Sequence, residues 1–158
     1  VVDDTNSSDV LRNGGLGRRN PNVQCSRRGI DGRSILEAAS DGDKGLFDLE
    51  HRRFLMMSAD GTELLGEDLL VGTGGKRFTV RFHLHPNVQA TMIQNGNAVL
   101  LKPRRGRGWK MVSPDREVFL EESIYIENAT RHRRTQQIVI PGEILGRGAA
   151  VKWRMVQI

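Results

Sequence analysis

The stretch Phe78-Thr79-Val80-Arg81-Phe82-His83-Leu84-His85 alternates apolar and polar side chains along its whole length. A period of two residues is typical of a β-strand that buries one face and exposes the other to solvent. The segment Val151–Met155 repeats this alternation near the end of the chain, with Lys152 and Arg154 between its apolar residues. The second half of the chain therefore predicts sheet structure.

Turn signals separate the segments around these strands. Asn95-Gly96 lies between Val88–Gln94 and Ala98–Lys102, and this dipeptide between two strand-like segments predicts a β-hairpin. Asp60-Gly61 predicts a second hairpin. Turns at such intervals are typical of a sandwich or a barrel, so we predict an all-β fold, a two-layer antiparallel β-sandwich with little or no helix. The other signals are Asp31-Gly32, Asp41-Gly42, Gly72-Thr73-Gly74-Gly75, Gly106-Arg107-Gly108, Pro114-Asp115 and Pro141-Gly142.

The segment Leu46–Met57 fits two patterns. Its apolar residues could line a helix, or Phe47, Leu49 and Met57 could share one face of a strand. Hairpin-like turns flank the segment, so we predict a long strand. His51 would then lie on the apolar face, where a histidine is typical of a satisfied core residue.

Length and composition restrict the class of protein. The chain has 158 residues, of which 37% are hydrophobic and 27% charged, and this suits one globular domain rather than a disordered or membrane protein. We assign residues 1–20, which are polar and rich in glycine, to an extended lead-in and residues 21–158 to the sandwich. No signal peptide is visible, and a start without methionine suggests a piece of a longer protein. The single cysteine, Cys25, excludes an intrachain disulfide.

Charge is distributed unevenly along the chain. Residues 1–75 carry 9 basic and 13 acidic side chains, whereas residues 76–158 carry 15 basic and 6 acidic ones. Arginine outnumbers lysine 19 to 5, and guanidinium groups form paired hydrogen bonds with carboxylate and sulfate groups. The two halves could attract each other in the folded chain, or the second half could present a basic face to a polyanion.

His83-Leu84-His85-Pro86 contains two histidines two residues apart. On a strand both imidazoles would point to the same face, about 6.5–7 Å apart along the chain, and could meet one metal ion. They could equally lie on the polar face and bond to nearby backbone. Two ligands do not complete a metal site, so a third would have to come from elsewhere.

The densest basic stretch is Lys102–Lys110, which contains Arg104, Arg105, Arg107 and Trp109. Basic residues around an exposed aromatic ring could bind an anionic sugar chain or a nucleic acid. The stretch could also be an ordinary basic hairpin loop. Aromatic residues are scarce in the chain, which argues against a nucleic-acid stacking platform.

A second basic run, Thr130-Arg131-His132-Arg133-Arg134, has no aromatic residue and is typical of a solvated face. If the two basic stretches meet on one face, their charges would attract sulfated or uronate polymers and, without specificity, DNA. Familiar catalytic patterns do not occur elsewhere: Cys25 has no nearby histidine, and the chain has no Gly-x-Ser-x-Gly elbow and no phosphate-binding loop.

Six short segments follow one another in a characteristic order. They are Val1-Val2-Asp3-Asp4-Thr5-Asn6-Ser7-Ser8, His51-Arg52-Arg53 leading into Ser58-Ala59-Asp60-Gly61, Gly66-Glu67-Asp68, Arg81-Phe82-His83-Leu84-His85-Pro86, Leu120-Glu121-Glu122-Ser123 and Arg134-Thr135-Gln136-Gln137-Ile138-Val139. In this order the segments resemble the C-terminal β-sandwich of bacterial heparinase II/III-like polysaccharide lyases, nearly from end to end of the chain.

The resemblance implies a parent protein in which an N-terminal α/α toroid carries most catalytic residues and the β-sandwich shapes and stabilises the substrate cleft. Lyases of this family cleave uronic-acid-containing polysaccharides by β-elimination. A base removes the proton α to the uronate carboxylate, a positive group neutralises that carboxylate, and an acid protonates the leaving oxygen.

This chain departs from the family pattern in ways that concern catalysis. Ser40-Asp41-Gly42-Asp43 stands where many relatives have His-Asp-Gly-Tyr. The only tyrosine, Tyr125, has strand-like neighbours and a predicted packing role. The resemblance places the family's metal site and catalytic histidine upstream of the match. We therefore expect no catalytic residue and no metal in this chain, an inactive isolated fragment, and a full-length parent that could hold a divalent metal.

The candidate site residues form a substrate-binding arginine set and a set of histidines with cleft or structural roles. They are Arg104, Arg105 and Arg107, and His51, His83 and His85. The partners implied by the resemblance are an acidic polysaccharide and the toroid domain, with no membrane and with only non-specific nucleic-acid contact. It implies a bacterial protein and favours the periplasm over the cytoplasm. Two alternatives stay open: a stand-alone acidic-glycan-binding module and a small metal-dependent enzyme centred on His83 and His85.

Overall fold

The chain forms two antiparallel β-sheets. A computed structural model describes residues 1–6, 11, 17, 22–128 and 131–158. One helix of four residues, α1 (Lys44–Phe47), and a 3₁₀ turn at Gln94–Gly96 interrupt the strands. The strands are β1 (Val23–Ile30), β2 (Arg33–Ser40), β3 (Leu49–Met57), β4 (Glu63–Gly72), β5 (Arg77–His83), β6 (Val88–Ile93), β7 (Ala98–Pro103), β8 (Trp109–Val112), β9 (Phe119–Asn128), β10 (Arg131–Glu143) and β11 (Gly148–Gln157).

The two sheets differ in size. The larger has eight strands in the order β1-β2-β3-β4-β11-β8-β7-β6, and the smaller has three in the order β5-β10-β9. All neighbouring strands are antiparallel. The predicted all-β sandwich with little helix is confirmed. No helix in the described part of the chain has the length and apolar character needed to cross a membrane.

The core lies between the facing sides of the two sheets. Leu49, Met111 and Val151 from the large sheet and Ile138 and Ile140 from the small sheet are each at most 2% exposed. Period-two alternation explains this arrangement, because every second residue of a strand points toward the opposite sheet. Apolar burial of this kind supplies most of the stabilisation of such a fold.

Most of the predicted turns lie in turns or loops, but the turn predicted at Pro141-Gly142 is wrong, because both residues lie inside β10, opposite Thr79 and Phe78 of β5. The hairpin at Asn95-Gly96 joins β6 to β7, and the turn at Asp60-Gly61 joins β3 to β4. The predicted long strand over Leu46–Met57 is wrong at its start, because Lys44–Phe47 is helical and the strand begins at Leu49. Asp48 adopts a left-handed conformation, with φ 51° and ψ 41°, which ends the helix and redirects the chain into β3.

The first residues of the chain lie along the free edge of β5. Val1 and Thr79 exchange backbone hydrogen bonds of 3.2 and 2.9 Å, and the Asp3 N–H donates to the carbonyl of Arg77 at 3.0 Å. Val2 is 1% exposed and belongs to the core. Residues 7–10, 12–16 and 18–20 of the predicted lead-in lie outside the described residues.

The hairpin of β9 and β10 extends beyond the rest of the small sheet. β5 pairs with β10 only over Gln137–Glu143, so the preceding part of β10 pairs with β9 alone. We call residues 122–128 and 131–136 the β9–β10 arm. Ile124 and Ile126 on this arm are 63% and 67% exposed, because the core does not reach them.

Candidate functional site

A cleft of about 580 Å³ opens between the edge of β5 and the inner face of β3, β4 and β11. This volume lies within the range of small-molecule sites. Its floor is apolar and includes Leu70, Val80, Ala149 and Val151. Polar side chains line the rest of the cleft, and the main ones are Asp43, His51, Arg53, Asp68, Arg81, His83 and Gln137.

Asp68 is the most buried ionisable group of the cleft, at 3% exposure. His51 Nε2 and Arg53 Nε lie 2.7 Å from its Oδ1, and Trp153 Nε1 donates to its Oδ2 at 2.9 Å. Strand register explains why these groups meet: Arg53 stands opposite Asp68, and Trp153 stands opposite the neighbouring Gly66. The carboxylate therefore ties β3, β4 and β11 together.

The protonation state of Asp68 fixes the tautomer of His51. Burial raises the pKa of Asp68, but hydrogen bonds from His51 and Arg53, with the charge of Arg53, outweigh burial and lower the pKa to about 2. The carboxylate is ionised at neutral pH and only accepts hydrogen bonds, so His51 Nε2 must carry the proton. In the neutral imidazole, Nδ1 is then the hydrogen-bond acceptor, on a side chain that is 34% exposed.

Aromatic rings support this cluster from both sheets. The Arg53 guanidinium lies 5.7 Å from the centre of the Phe82 ring, a cation–π contact with the small sheet. Phe82 also packs edge-on against Trp153, with ring centres 5.0 Å apart. Trp153 fits because its partner is Gly66: a Cβ there would lie 2.1 Å from Trp153 Cζ2.

His83 and His85 have different neighbours. His83 Nδ1 lies 2.8 Å from Ser123 Oγ, within hydrogen-bond distance. β5 ends at His83, and beyond it His85 Nδ1 accepts a hydrogen bond from the Asn87 N–H and its ring packs edge-on against Tyr125, with centres 4.9 Å apart. Within the described ranges, no group of three His, Cys, Asp or Glu side chains could hold a metal ion.

The predicted basic loop lies between β7 and β8. Arg104, Arg105 and Arg107 are exposed, and none forms an ion pair with another described residue. Trp109 does not provide this loop with an exposed aromatic ring, because it begins β8 and is partly buried against the core. Alternation along β8 turns its indole inward and leaves the arginines without a stacking ring.

The two basic stretches adjoin the same turn, residues 84–87. The Arg104 N–H donates to the carbonyl of Asn87 at 3.0 Å on one side of this turn. On the other side, Thr135 Oγ1 donates to the carbonyl of Leu84 at 2.8 Å, and His85 packs against Tyr125. We call the β7–β8 loop, this turn and the β9–β10 arm the basic end. The arm contributes Arg131, Arg133 and Arg134, of which Arg131 pairs with Glu127 at 3.1 Å.

The structure brings only part of the predicted set together. His51 lies on the inner face of β3, as predicted, and lines the cleft with His83. His85 and the three loop arginines do not line it. Sequence reasoning missed Asp43 and Asp68 as cleft residues. The local signal for Asp68 is weak: Leu70 shares its strand face, but the same strand also contains the carboxylates of Glu63 and Glu67.

A sequence model described as heparinase II/III-like, C-terminal, matches residues 1–154. The chain belongs to this family. Asp43 is 9% exposed and lines the cleft. It also begins α1 without a side-chain capping bond.

Named relatives of this heparinase II/III-like domain fall into two groups. FtsZ-localized protein C of Caulobacter vibrioides is 29% identical over 147 residues, which cover 85% of this chain and 25% of that protein. The crystal structure of heparan sulfate lyase HepC from Pedobacter heparinus superposes with a TM-score of 0.70 at 14% identity and covers 85% of this chain and 21% of that one. A heparinase III structure gives a TM-score of 0.64 at 12% identity, over 86% of this chain and 21% of that one. The chain thus spans a quarter or less of the length of these relatives.

Proposed function

We propose that this domain serves a longer heparinase II/III-like lyase, shapes its substrate cleft, and contacts an acidic polysaccharide through the basic end. The observation that carries this proposal is the shared turn 84–87, which joins the β7–β8 loop to the β9–β10 arm. Two arginine-containing stretches far apart in sequence thereby adjoin the same turn. The heparan sulfate lyase and heparinase III folds support the assignment to a polysaccharide lyase.

The chemistry of the basic end favours a sulfated or carboxylated sugar chain. Guanidinium groups form paired hydrogen bonds with sulfate and carboxylate oxygens. Single-stranded nucleic acids also need exposed rings on which bases stack. The two rings near the basic end are engaged, because Trp109 packs against the core and Tyr125 packs against His85. Nucleic acid is therefore a non-specific competitor.

Heparin affinity chromatography tests the contact. Replacing Arg104, Arg105 and Arg107 by serine removes three positive charges from the basic end, so we expect elution at clearly lower salt. The matched control replaces Arg27, Arg33 and Arg147, which are also exposed. Five strands separate β1 from β7 in the large sheet, so Arg27 on β1 lies far from the loop. Equal elution of both triple variants would remove the basic end from the proposal.

The domain does not supply the lyase chemistry by itself. β-Elimination needs a base beside the uronate C5 and an acid at the leaving oxygen. The only tyrosine of the chain, Tyr125, packs against His85 and does not line the cleft. We expect no ultraviolet-absorbing unsaturated product when the 158-residue chain is incubated with heparin, heparan sulfate or alginate. A steady absorbance rise that is lost on substitution of a residue of this chain would contradict this.

The relative FtsZ-localized protein C favours a second candidate function. Its 29% identity exceeds the 12–14% identity to the lyase structures. Under this candidate, the chain is a domain of a protein that localises with FtsZ rather than one that degrades a glycan. Co-sedimentation of the chain with FtsZ filaments, undiminished by added heparin, would favour it. Sedimentation that heparin abolishes would assign the binding to the polyanion surface instead.

A further inference from the structure

β1 and β9 are edge strands, each with one unpaired side. β1 ends the large sheet and bonds to β2, and β9 ends the small sheet and bonds to β10. Beyond these ladders, the backbone of β1 and β9 bonds to the backbone of no other described residue. Gln137 Nε2 donates to the carbonyl of Glu122 at 3.3 Å, and that oxygen has a second lone pair. Such an edge presents a row of donors and acceptors with which another strand can pair.

Both edge strands are long and expose apolar side chains. β1 has eight residues, all of them exposed, and it contains neither a proline nor a bulge against β2. β9 has ten residues and continues into the β9–β10 arm. Strand addition would cover the exposed large apolar side chains of the two strands, which are Val23, Ile30, Phe119, Ile124 and Ile126.

The two edges carry opposite charges. β1 contains Arg27 and Arg28 and no carboxylate, whereas β9 contains Glu121, Glu122 and Glu127 and no basic residue. Like charges directly opposite each other destabilise a strand pair, and opposite charges stabilise it. Two copies of β1, or two copies of β9, would therefore repel each other. The charges favour β1 of one copy beside β9 of another.

Arg27 and Glu122 are the charges available for such a contact. Both side chains are exposed, and neither forms an ion pair with a residue in the described ranges. The other charges of the two strands are already paired within the chain, namely Arg28 with Glu37, Glu121 with Arg81 and Glu127 with Arg131.

Backbone hydrogen bonds determine which residues of each edge face outward. The Asp41 N–H donates to the carbonyl of Asn22 at 3.4 Å, so even-numbered residues of β1 face β2 and odd-numbered ones face outward. The Leu84 N–H donates to the carbonyl of Gln136 at 3.0 Å, so odd-numbered residues of β10 face β9. The register of β9 with β10 then turns even-numbered residues of β9 outward. Odd residues of β1 must therefore stand opposite even residues of β9.

One antiparallel register obeys this rule and also matches the side chains. It sets Arg27 opposite Glu122 of a second copy. A shift by two residues in either direction would set Arg27 opposite Ile124 or Leu120 instead. In the matched register apolar side chains meet apolar ones and serine meets serine. The facing pairs are Val23 with Ile126, Cys25 with Ile124, Ser26 with Ser123, and Ile30 with Phe119.

We propose that copies of this chain associate by strand addition, with β1 of one copy antiparallel to β9 of the next and Arg27 opposite Glu122. The two surfaces differ, so every added copy leaves one β1 and one β9 open, and copies add head to tail. A single strand pair buries a small area, so the association is weak and depends on concentration. The proposal goes beyond the polysaccharide contact and does not depend on it.

Sedimentation of the 158-residue chain in a reducing buffer tests the contact. The average mass should rise above that of the monomer as the concentration increases. Arg27→Glu and Glu122→Arg should each abolish this rise, because like charges then face each other. Neither side chain has an ion-pair partner among the described residues, so both variants should fold. Arg147→Glu and Glu143→Arg, at exposed positions outside β1 and β9, are the matched controls and should associate like the native chain.

A mixture of the two charge-reversal variants distinguishes pairing from non-specific charge effects. Mixing Arg27→Glu with Glu122→Arg should restore the association, because each new charge meets its opposite on the other variant. A mass that stays monomeric up to about 1 mM native chain would overturn the proposal. So would undiminished association of either variant, or a mixture that stays monomeric.

Cross-linking tests the register. In Ile124→Cys, the new thiol lies opposite Cys25 of the next copy, so oxidation with glutathione disulfide should join residues 25 and 124 of different copies. Leu145→Cys places a thiol at an exposed position outside the strands and is the control. Mass spectrometry of the digested product identifies the joined residues. Cross-links of Cys25 to residue 124 that are no more frequent than those to residue 145 would overturn the proposed pairing.

Discussion

Arginines occur in two contrasting settings in this domain. Arg53 is half-buried, bonded to Asp68 and packed on Phe82, so its orientation is fixed before any ligand arrives. Arg104, Arg105 and Arg107 are exposed and have no ion-pair partner among the described residues. The first setting favours directional recognition of one carboxylate. The second favours long-range attraction of a polymer, which salt screens over a Debye length of about 8 Å at physiological ionic strength.

The comparison teaches that position in the sheet, rather than residue type, decides what an arginine does. The inner face of β3 brings Arg53 opposite a buried carboxylate on β4. The loop between β7 and β8 has no such neighbour within the described chain. We therefore expect substitutions in the cleft to change folding stability and substitutions in the loop to change only binding.

The largest expected effect is that of Asp68→Asn. The substitution removes the charge that balances Arg53 and presents an N–H₂ group to three donors. Breaking a buried pair in this way costs about 3 kcal/mol or more of unfolding free energy. Urea denaturation measures the loss. Asp115→Asn, at an exposed carboxylate, is the control and should change stability by less than about 0.5 kcal/mol. Equal losses in both variants would contradict the prediction that the buried Asp68 stabilises the fold more than an exposed carboxylate does.

Acid should destabilise the domain through the same carboxylate. Because the pKa of Asp68 is lowered from 3.8 to about 2, the ionised form stabilises the fold above pH 4, and this contribution disappears as the pH falls from about 4 to about 2. It amounts to about 2 kcal/mol at neutral pH. Urea midpoints measured from pH 6 to pH 2 should fall more steeply in the native chain than in Asp68→Asn.

The exposed Asp60 is the comparison for this acid titration. Its pKa is also lowered to about 2, first by the Ser58 hydroxyl and then by Thr62, within the turn between β3 and β4. Part of the acid dependence therefore remains in Asp68→Asn. Identical slopes in the native chain and in Asp68→Asn would assign all of the dependence to groups such as Asp60.

A smaller loss is expected from Gly66→Ala. The new methyl group would overlap the Trp153 ring and push the indole away from Asp68, at a cost of about 1–3 kcal/mol. Tryptophan fluorescence should shift together with the urea midpoint. Gly45→Ala, at a glycine with open space around it, is the matched control and should change neither the tryptophan fluorescence nor the urea midpoint.

The smallest effect on stability is expected from the loop. The triple serine variant of Arg104, Arg105 and Arg107 should unfold within about 0.5 kcal/mol of the native chain, since these side chains form no ion pair with described residues. Its heparin elution should nevertheless shift. A clear loss of stability would show that the loop arginines support the fold.

Much of the fold could be predicted from the sequence because local residue patterns indicate the strands and the turns between them. Period-two alternation identified β5 and β11, and Asn95-Gly96 identified the hairpin of β6 and β7. Leu46–Met57 was only partly predictable, since helical and strand periodicity overlap there and a left-handed Asp48 decides the boundary.

The cleft was harder to predict than the strands. His51 could be placed on an inner face from alternation alone. Its partner Asp68 depends on strand register, and Trp153 joins them from the far end of the chain. Such contacts between distant segments leave no local pattern. The sequence does not predict whether the two basic stretches meet. Turn 84–87 connects them largely through backbone hydrogen bonds, which any residue type can form.

The close fit of Trp153 over Gly66 has an evolutionary consequence. The indole occupies the space where any other residue at position 66 would place its Cβ. Substitutions at positions 66 and 153 are therefore coupled. A larger residue at position 66 is tolerated only after Trp153 has been replaced by a smaller side chain. Homologues should divide into those that keep the glycine with the tryptophan and those that have exchanged both. Lineages of the second kind would have lost the indole donor to Asp68 as well.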